Sequence, residues 1–144
     1  MMLLKTKEEH KMIKFFIGAK GSGKTKTLIE LVNNAANTSK GSVVCIERGD
    51  KLRFDITSKA RLIDTDFYKV DDTEKLYGFI AGILASNSDI TDLFVDSALK
   101  ICKDDVDAFV AMLPALEKLA KDVNLVMTIS IATEVCPDAI KAYV

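Results

Sequence analysis

Histidine is almost absent from this chain. Of 144 residues one is a histidine, His10, and it lies in a polar N-terminal stretch. Three cysteines, Cys45, Cys102 and Cys136, are odd in number, far apart and form no C-x-x-C pair. Neither a His/Cys metal site nor a disulfide framework is expected from such a set. Reduced, buried thiols in a cytoplasmic protein are. No apolar run reaches the roughly 20 residues a membrane-spanning helix needs, so no membrane insertion is expected. The opening Met1-Met2-Leu3-Leu4-Lys5-Thr6-Lys7-Glu8-Glu9-His10-Lys11 is too short in apolar residues for a secretory signal. Residues 1–11 read as a polar leader or tail, and 12–144 as a single domain. An excess of charge is missing too: 20 Lys+Arg face 21 Asp+Glu, for a net charge of −1. That balance gives no basic field for nucleic acid. No internal repeat, low-complexity tract or long linker divides the chain. With 49% hydrophobic and 28% charged residues, the composition is that of a soluble globular domain.

Glycine is scarce, seven in all, yet three fall within six positions. Residues 18–25 read Gly-Ala-Lys-Gly-Ser-Gly-Lys-Thr, a complete G-x-x-x-x-G-K-[ST] pattern. Before it, Ile13-Lys14-Phe15-Phe16-Ile17 is an apolar run of strand length. After it, Leu28, Leu31, Val32 and Ala35 have helical spacing. A strand–loop–helix context is the one this pattern requires. Gly18, Gly21 and Gly23 let the backbone turn tightly and approach a phosphate without a Cβ in the way. Ala19, Lys20, Ser22 and Lys26 complete the stretch that would touch it. The loop N–H groups and the helix N-terminus form an anion nest. Lys24 supplies a cation for the β- and γ-phosphates, and the Thr25 hydroxyl a ligand for Mg²⁺. Nucleoside triphosphate binding is therefore expected, with ATP and Mg²⁺ as cofactors.

The remaining chain alternates strand and helix. Ser42–Glu47 is a β-branched apolar run. Residues 60–63 form a second short one, ending at Asp64. Asp71 to Glu74 looks like a capping box, followed by Leu76, Phe79, Ile80, Ile83 and Leu84 on one helical stripe. Ile90–Val95 is a strand. Asp104-Asp105 open a helix bearing Val106, Phe109, Val110 and Leu113, which Pro114 is expected to break or kink. A last strand covers 124–131, and Pro137 suits the first turn of a short helix. The alternation predicts an α/β fold: a three-layer sandwich around a mostly parallel sheet with right-handed crossovers. Arg48-Gly49-Asp50, although an adhesion tripeptide in letters, reads as a turn.

A triphosphate site also needs a carboxylate for Mg²⁺. Asp96 closes the strand Asp92-Leu93-Phe94-Val95, and ligands of open α/β sheets sit at the carboxyl ends of strands. Asp64, after its own strand, is the competitor. Many ATPases place a catalytic Glu directly after that Asp, but position 97 is Ser. Glu47 ends the strand after the phosphate-loop helix and is the substitute for activating water. On the last strand Thr128 and Ser130 are further candidates, one to meet the γ-phosphate and the other to face the opposite side.

On Gly18–Thr25 and Asp96 the chain resembles the P-loop NTPases, and more loosely their RecA-like branch. That resemblance implies the P-loop NTPase fold and a catalytic glutamate at the end of the second strand, where Glu47 stands. It is also similar to small bacterial ATP-binding proteins. No [NT]-K-x-D for guanine, no Leu-Ser-Gly-Gly-Gln of ABC ATPases and no zinc cysteines of thymidine-kinase-like enzymes are present. The function expected is a slow Mg-dependent ATPase (catalytic residues Glu47 and Lys24) acting with an unidentified protein partner. A small phosphotransferase, holding an acceptor phosphate with the Arg48–Arg61 segment, and a non-hydrolytic nucleotide sensor are the alternatives.

Overall fold

The structure, a computed structural model, describes residues 13–144; the expected leader, His10 and Met12 lie outside them. Strand β1 (Ile13–Gly18) leads through a glycine-rich loop into α1 (Lys24–Thr38). Then follow β2 (Ser42–Glu47), β3 (Arg61–Asp64), α2 (Thr73–Ser86), β4 (Ile90–Val95), the one-turn α3 (Ala98–Ile101), α4 (Val106–Leu119), β5 (Asn124–Ser130) and the short α5 (Asp138–Lys141). The five strands pair in parallel, in the order β1-β5-β4-β2-β3. All their carboxyl ends therefore lie along one edge.

Side chains alternate across each strand, and both faces of this sheet are apolar. On one face Val43, Cys45 and Phe94 meet Leu28 and Val32 of α1, with Leu52, Ile56 and Ala60 from the β2–β3 connection. On the other, Phe15, Val44, Ile46, Leu93, Val95, Leu125, Met127 and Ile129 meet Leu76 and Ile80 of α2, Phe109 and Leu116 of α4 and Ile140 of α5. The division follows from handedness. From β1 to β3 the chain travels across the sheet in one direction, and from β3 to β5 it returns. Right-handed crossovers in opposite directions must cover opposite faces. The result is the expected three-layer α/β sandwich with the strands all parallel. The three cysteines are free and buried, and burial raises each thiol pKa. Among the described residues no helix is long and apolar enough to cross a membrane.

Two local expectations are corrected. Pro114 does not break its helix, because α4 runs unbroken from Val106 to Leu119. The proline is exposed while Phe109, Met112, Leu113 and Leu116 are buried. It stands on the solvent side, where a carbonyl deprived of its partner tilts toward water, and the buried stripe holds the helix down. The α2 cap is Asp72 rather than Asp71: its side chain accepts from the Lys75 N–H at 2.8 Å. Asp71 instead binds the Lys75 ammonium at 2.8 Å. Helix α3 is too short for any periodicity to announce it.

Candidate functional site

The loop between β1 and α1 has left-handed backbone at its three glycines, φ 152° at Gly18, 84° at Gly21 and 91° at Gly23. A Cβ on Gly18 would lie 2.6 Å from the Ser22 Oγ. Gly23 caps α1 without a side chain, and no acidic residue occupies the helix's first turn. The first N–H groups of α1 thus have no intrahelical acceptor, and the positive end of the helix is not neutralised. Lys24 folds back over the loop, its Nζ donating to the Ala19 carbonyl at 2.9 Å and to Ser22 Oγ at 3.3 Å. Partial burial lowers its pKa, with Asp96 pulling the other way.

Beside the loop, Thr25 meets a residue 71 positions away: its Oγ1 donates to Asp96 Oδ1 at 3.1 Å, with Oδ2 at 3.4 Å. The topology makes this meeting. Strand β5 separates β1 from β4, and the first turn of α1 leans across to the end of β4. On β5, Thr128 donates through Oγ1 to Asp96 Oδ1 at 2.7 Å and accepts from the Ser97 N–H at 2.7 Å. Asp96 is 6% exposed and Thr128 1%. Thr128 and Ser130 do not face opposite ways. Two residues apart, they share a face: Thr128 is spent on Asp96, and Ser130 lines the open cavity. Sequence reading missed Thr128 as the partner of Asp96, because nothing in the chain announces that β5 inserts next to β4.

Glu47 lies at the end of β2, next to β4, yet differently from Asp96. It is 1% exposed. Its Oε2 accepts from the Leu52 N–H at 3.0 Å, and its Oε1 has no protein partner among the described residues. Desolvation raises its pKa; the Leu52 N–H opposes that, and the charge of Asp96 adds to it. Asp64 is committed elsewhere. Its Oδ1 accepts from the Gly49 N–H at 2.7 Å and the Asp66 N–H at 2.8 Å, tying together the turns after β2 and β3.

A cavity of about 820 Å³ opens over these residues. Lys24, Thr25, Asp96 and Ser130 form part of its wall; Leu52 does too, but Glu47 behind it does not. Lys20, Lys26, Arg48, Lys51 and Lys100 also border it, against the carboxylates Asp55, Asp66 and Asp96, so its lining is net positive. Such a cavity attracts anions. Among the described residues no group of three or more His, Cys, Asp and Glu is gathered to cage a metal ion. The oxygen donors that do converge are the Thr25 hydroxyl and the Asp96 carboxylate.

No protein-family model matches this chain, and no curated protein sequence is detectably similar to it.

Proposed function

We propose that this chain is a P-loop NTPase that binds ATP with Mg²⁺ at Gly18–Thr25 and Asp96, and hydrolyses it slowly with the help of a protein partner. The observation that carries the reading is the Thr25–Asp96 contact, 3.1 Å across 71 residues of sequence, beside a glycine loop that leads into an open helix N-terminus. The residues fit the group. Gly18, Gly21 and Gly23 all hold positive φ, backbone that turns the loop N–H groups toward a bound anion and that glycine adopts without strain. Mg²⁺ keeps several waters and is held by one or two protein groups plus substrate phosphates, so Thr25 and Asp96 suffice without a carboxylate cage. When bound, Mg²⁺ would neutralise charge developing on the β- and γ-oxygens.

The chain's own residues divide the remaining work. Loop N–H groups orient the phosphates. Lys24 lets go of Ala19 and Ser22 to pair with them. Thr128 holds the Asp96 carboxylate in one rotamer. Glu47 takes the proton from water once Leu52 moves aside, and burial raises its pKa, the direction that strengthens a carboxylate as a base. The residue after Asp96 is Ser97, without a carboxylate, and Glu47 is covered. Both features favour slow intrinsic turnover and give a partner something to do, namely to shift the 48–52 turn.

The test is calorimetric titration of ATP with Mg²⁺ into wild type and Lys24→Ala. Lys24 is half-buried at the loop and packs in neither core cluster, so the variant should fold normally and lose tight binding. Equal affinity in the two proteins would overturn the reading. ATP binding with no turnover, with or without candidate partners, would leave a nucleotide sensor.

A further inference from the structure

Asp96 leads directly into a segment that is costly to build. Among the described residues, three of the four non-glycine residues with left-handed backbone bracket α3: Ser97 before it (φ 55°), Lys103 and Asp104 after it (φ 57° and 60°). Side chains enter that region at a cost, and such strain persists only where the surroundings over-determine it. Here they do. The Ser97 N–H donates to Thr128 Oγ1 at 2.7 Å, and the Asp104 N–H to the Leu99 carbonyl at 2.8 Å. Ala98, Leu99, Ile101 and Cys102 are buried in the core on the α2 and α4 face.

One residue of α3 is left outside, Lys100, and it borders the cavity shared by Lys24, Thr25 and Asp96. Lys100 is lightly held. Its Nζ lies 3.6 Å from Asp104 Oδ2, with the side chains 45% and 58% exposed. Such a pair is weak in water, and a phosphate offers the ammonium more charge and several acceptor oxygens. The order β1-β5-β4 decides which phosphate. The glycine loop follows β1, whereas Asp96 and then Lys100 follow β4, two strands away. A chain of phosphates whose inner members lie in the loop presents its outermost one to the β4 side.

We infer that Lys100 binds the terminal phosphate of a nucleoside triphosphate and lets the site tell a triphosphate from a diphosphate. The inference rests on the ATP reading and deepens it. The chain supplies this cation itself, so the partner's part is confined to uncovering Glu47.

Calorimetry on the full chain tests it. A non-hydrolysable ATP analogue and ADP are titrated separately, each with Mg²⁺, into wild type, Lys100→Ala, Lys100→Arg and Asp104→Asn. Lys100 is exposed, so its variants should fold normally. Lys100→Ala should weaken the analogue by about tenfold, the scale of one charge-assisted hydrogen bond, and leave ADP unchanged. Lys100→Arg keeps the charge and should restore most of the difference. Asp104→Asn keeps a residue that tolerates left-handed backbone and releases Lys100. It should tighten the analogue more than ADP, and adding Lys100→Ala should cancel that gain. The inference is overturned if Lys100→Ala binds the analogue like wild type. It is also overturned if that variant loses analogue and ADP equally, which would make Lys100 part of a general positive field. In both cases binding by wild type leaves the ATP reading standing. A wild type that binds neither nucleotide overturns the ATP reading and this inference with it.

Discussion

Glu47 is a carboxylate that the fold takes almost wholly out of water, with one oxygen on the Leu52 N–H and the other without a protein partner among the described residues. Burial raises its pKa, so the folded protein holds this proton more tightly than the unfolded chain does. The sign for stability follows by linkage. Below the ordinary glutamate range Glu47 is protonated in both states and costs nothing by charge. As pH rises from there through the raised folded value, its ionisation drains stability. Glu47→Gln keeps an acceptor for Leu52 and cannot ionise. Urea midpoints should therefore shift in favour of the variant as pH rises above the ordinary glutamate range; a difference that stays constant would contradict this. In turnover the same variant should bind ATP and hydrolyse it about 10²–10⁴-fold more slowly, the usual contribution of a positioned base. A wild-type rate would remove Glu47 from the chemistry. Turnover must first vanish in Lys24→Ala, to exclude a contaminant. That a carboxylate stands at this edge is legible from its place at the end of a strand. That Leu52 covers it is not, since the β2–β3 connection has no periodicity from which its packing could be read.

At the scale of elements, hydrophobic spacing was sufficient wherever a helix has a long buried stripe. Leu76, Ile80 and their neighbours place α2 within a residue or two, and the β-branched run at 42–47 places β2. Failures came where local rules met tertiary packing. Pro114 costs α4 a backbone hydrogen bond, but the buried side of the helix outweighs it. Pro114→Ala should therefore stabilise the protein by about 1–3 kcal/mol, up to the full penalty of an interior proline, less the entropy that proline removes from the unfolded chain. Thermal or urea unfolding measures this. An unchanged or lower stability would mean the proline has a contact that compensates it. Asp72 reaches the Lys75 backbone N–H while Asp71 reaches that residue's ammonium, a division that two adjacent aspartates do not announce in sequence.

At the scale of the molecule, class and layering follow from the alternation of strands and helices, but strand order does not. Nothing local distinguishes the observed order from one in which β1 and β4 are direct neighbours. Order is set by which faces must be covered and by the hand of each crossover. It decides the site, because inserting β5 between β1 and β4 gives Asp96 both Thr25 and Thr128 as partners. The glycine loop's place between strand and helix was legible because its whole pattern lies within eight consecutive residues. The contact between Thr25 and Asp96 was legible only as two ends awaiting a fold.

That contact bears the central claim, that Asp96 acts on the nucleotide through Mg²⁺. The direct measurement is ATP affinity with and without Mg²⁺, in wild type and in Asp96→Asn. The substitution keeps the size of the side chain and an oxygen for Thr25 and Thr128, so the fold should survive. Binding in the presence of Mg²⁺ should weaken strongly, while Mg²⁺-free binding changes little. Equal losses in both conditions, or no loss in either, would contradict the account and make Asp96 a structural aspartate.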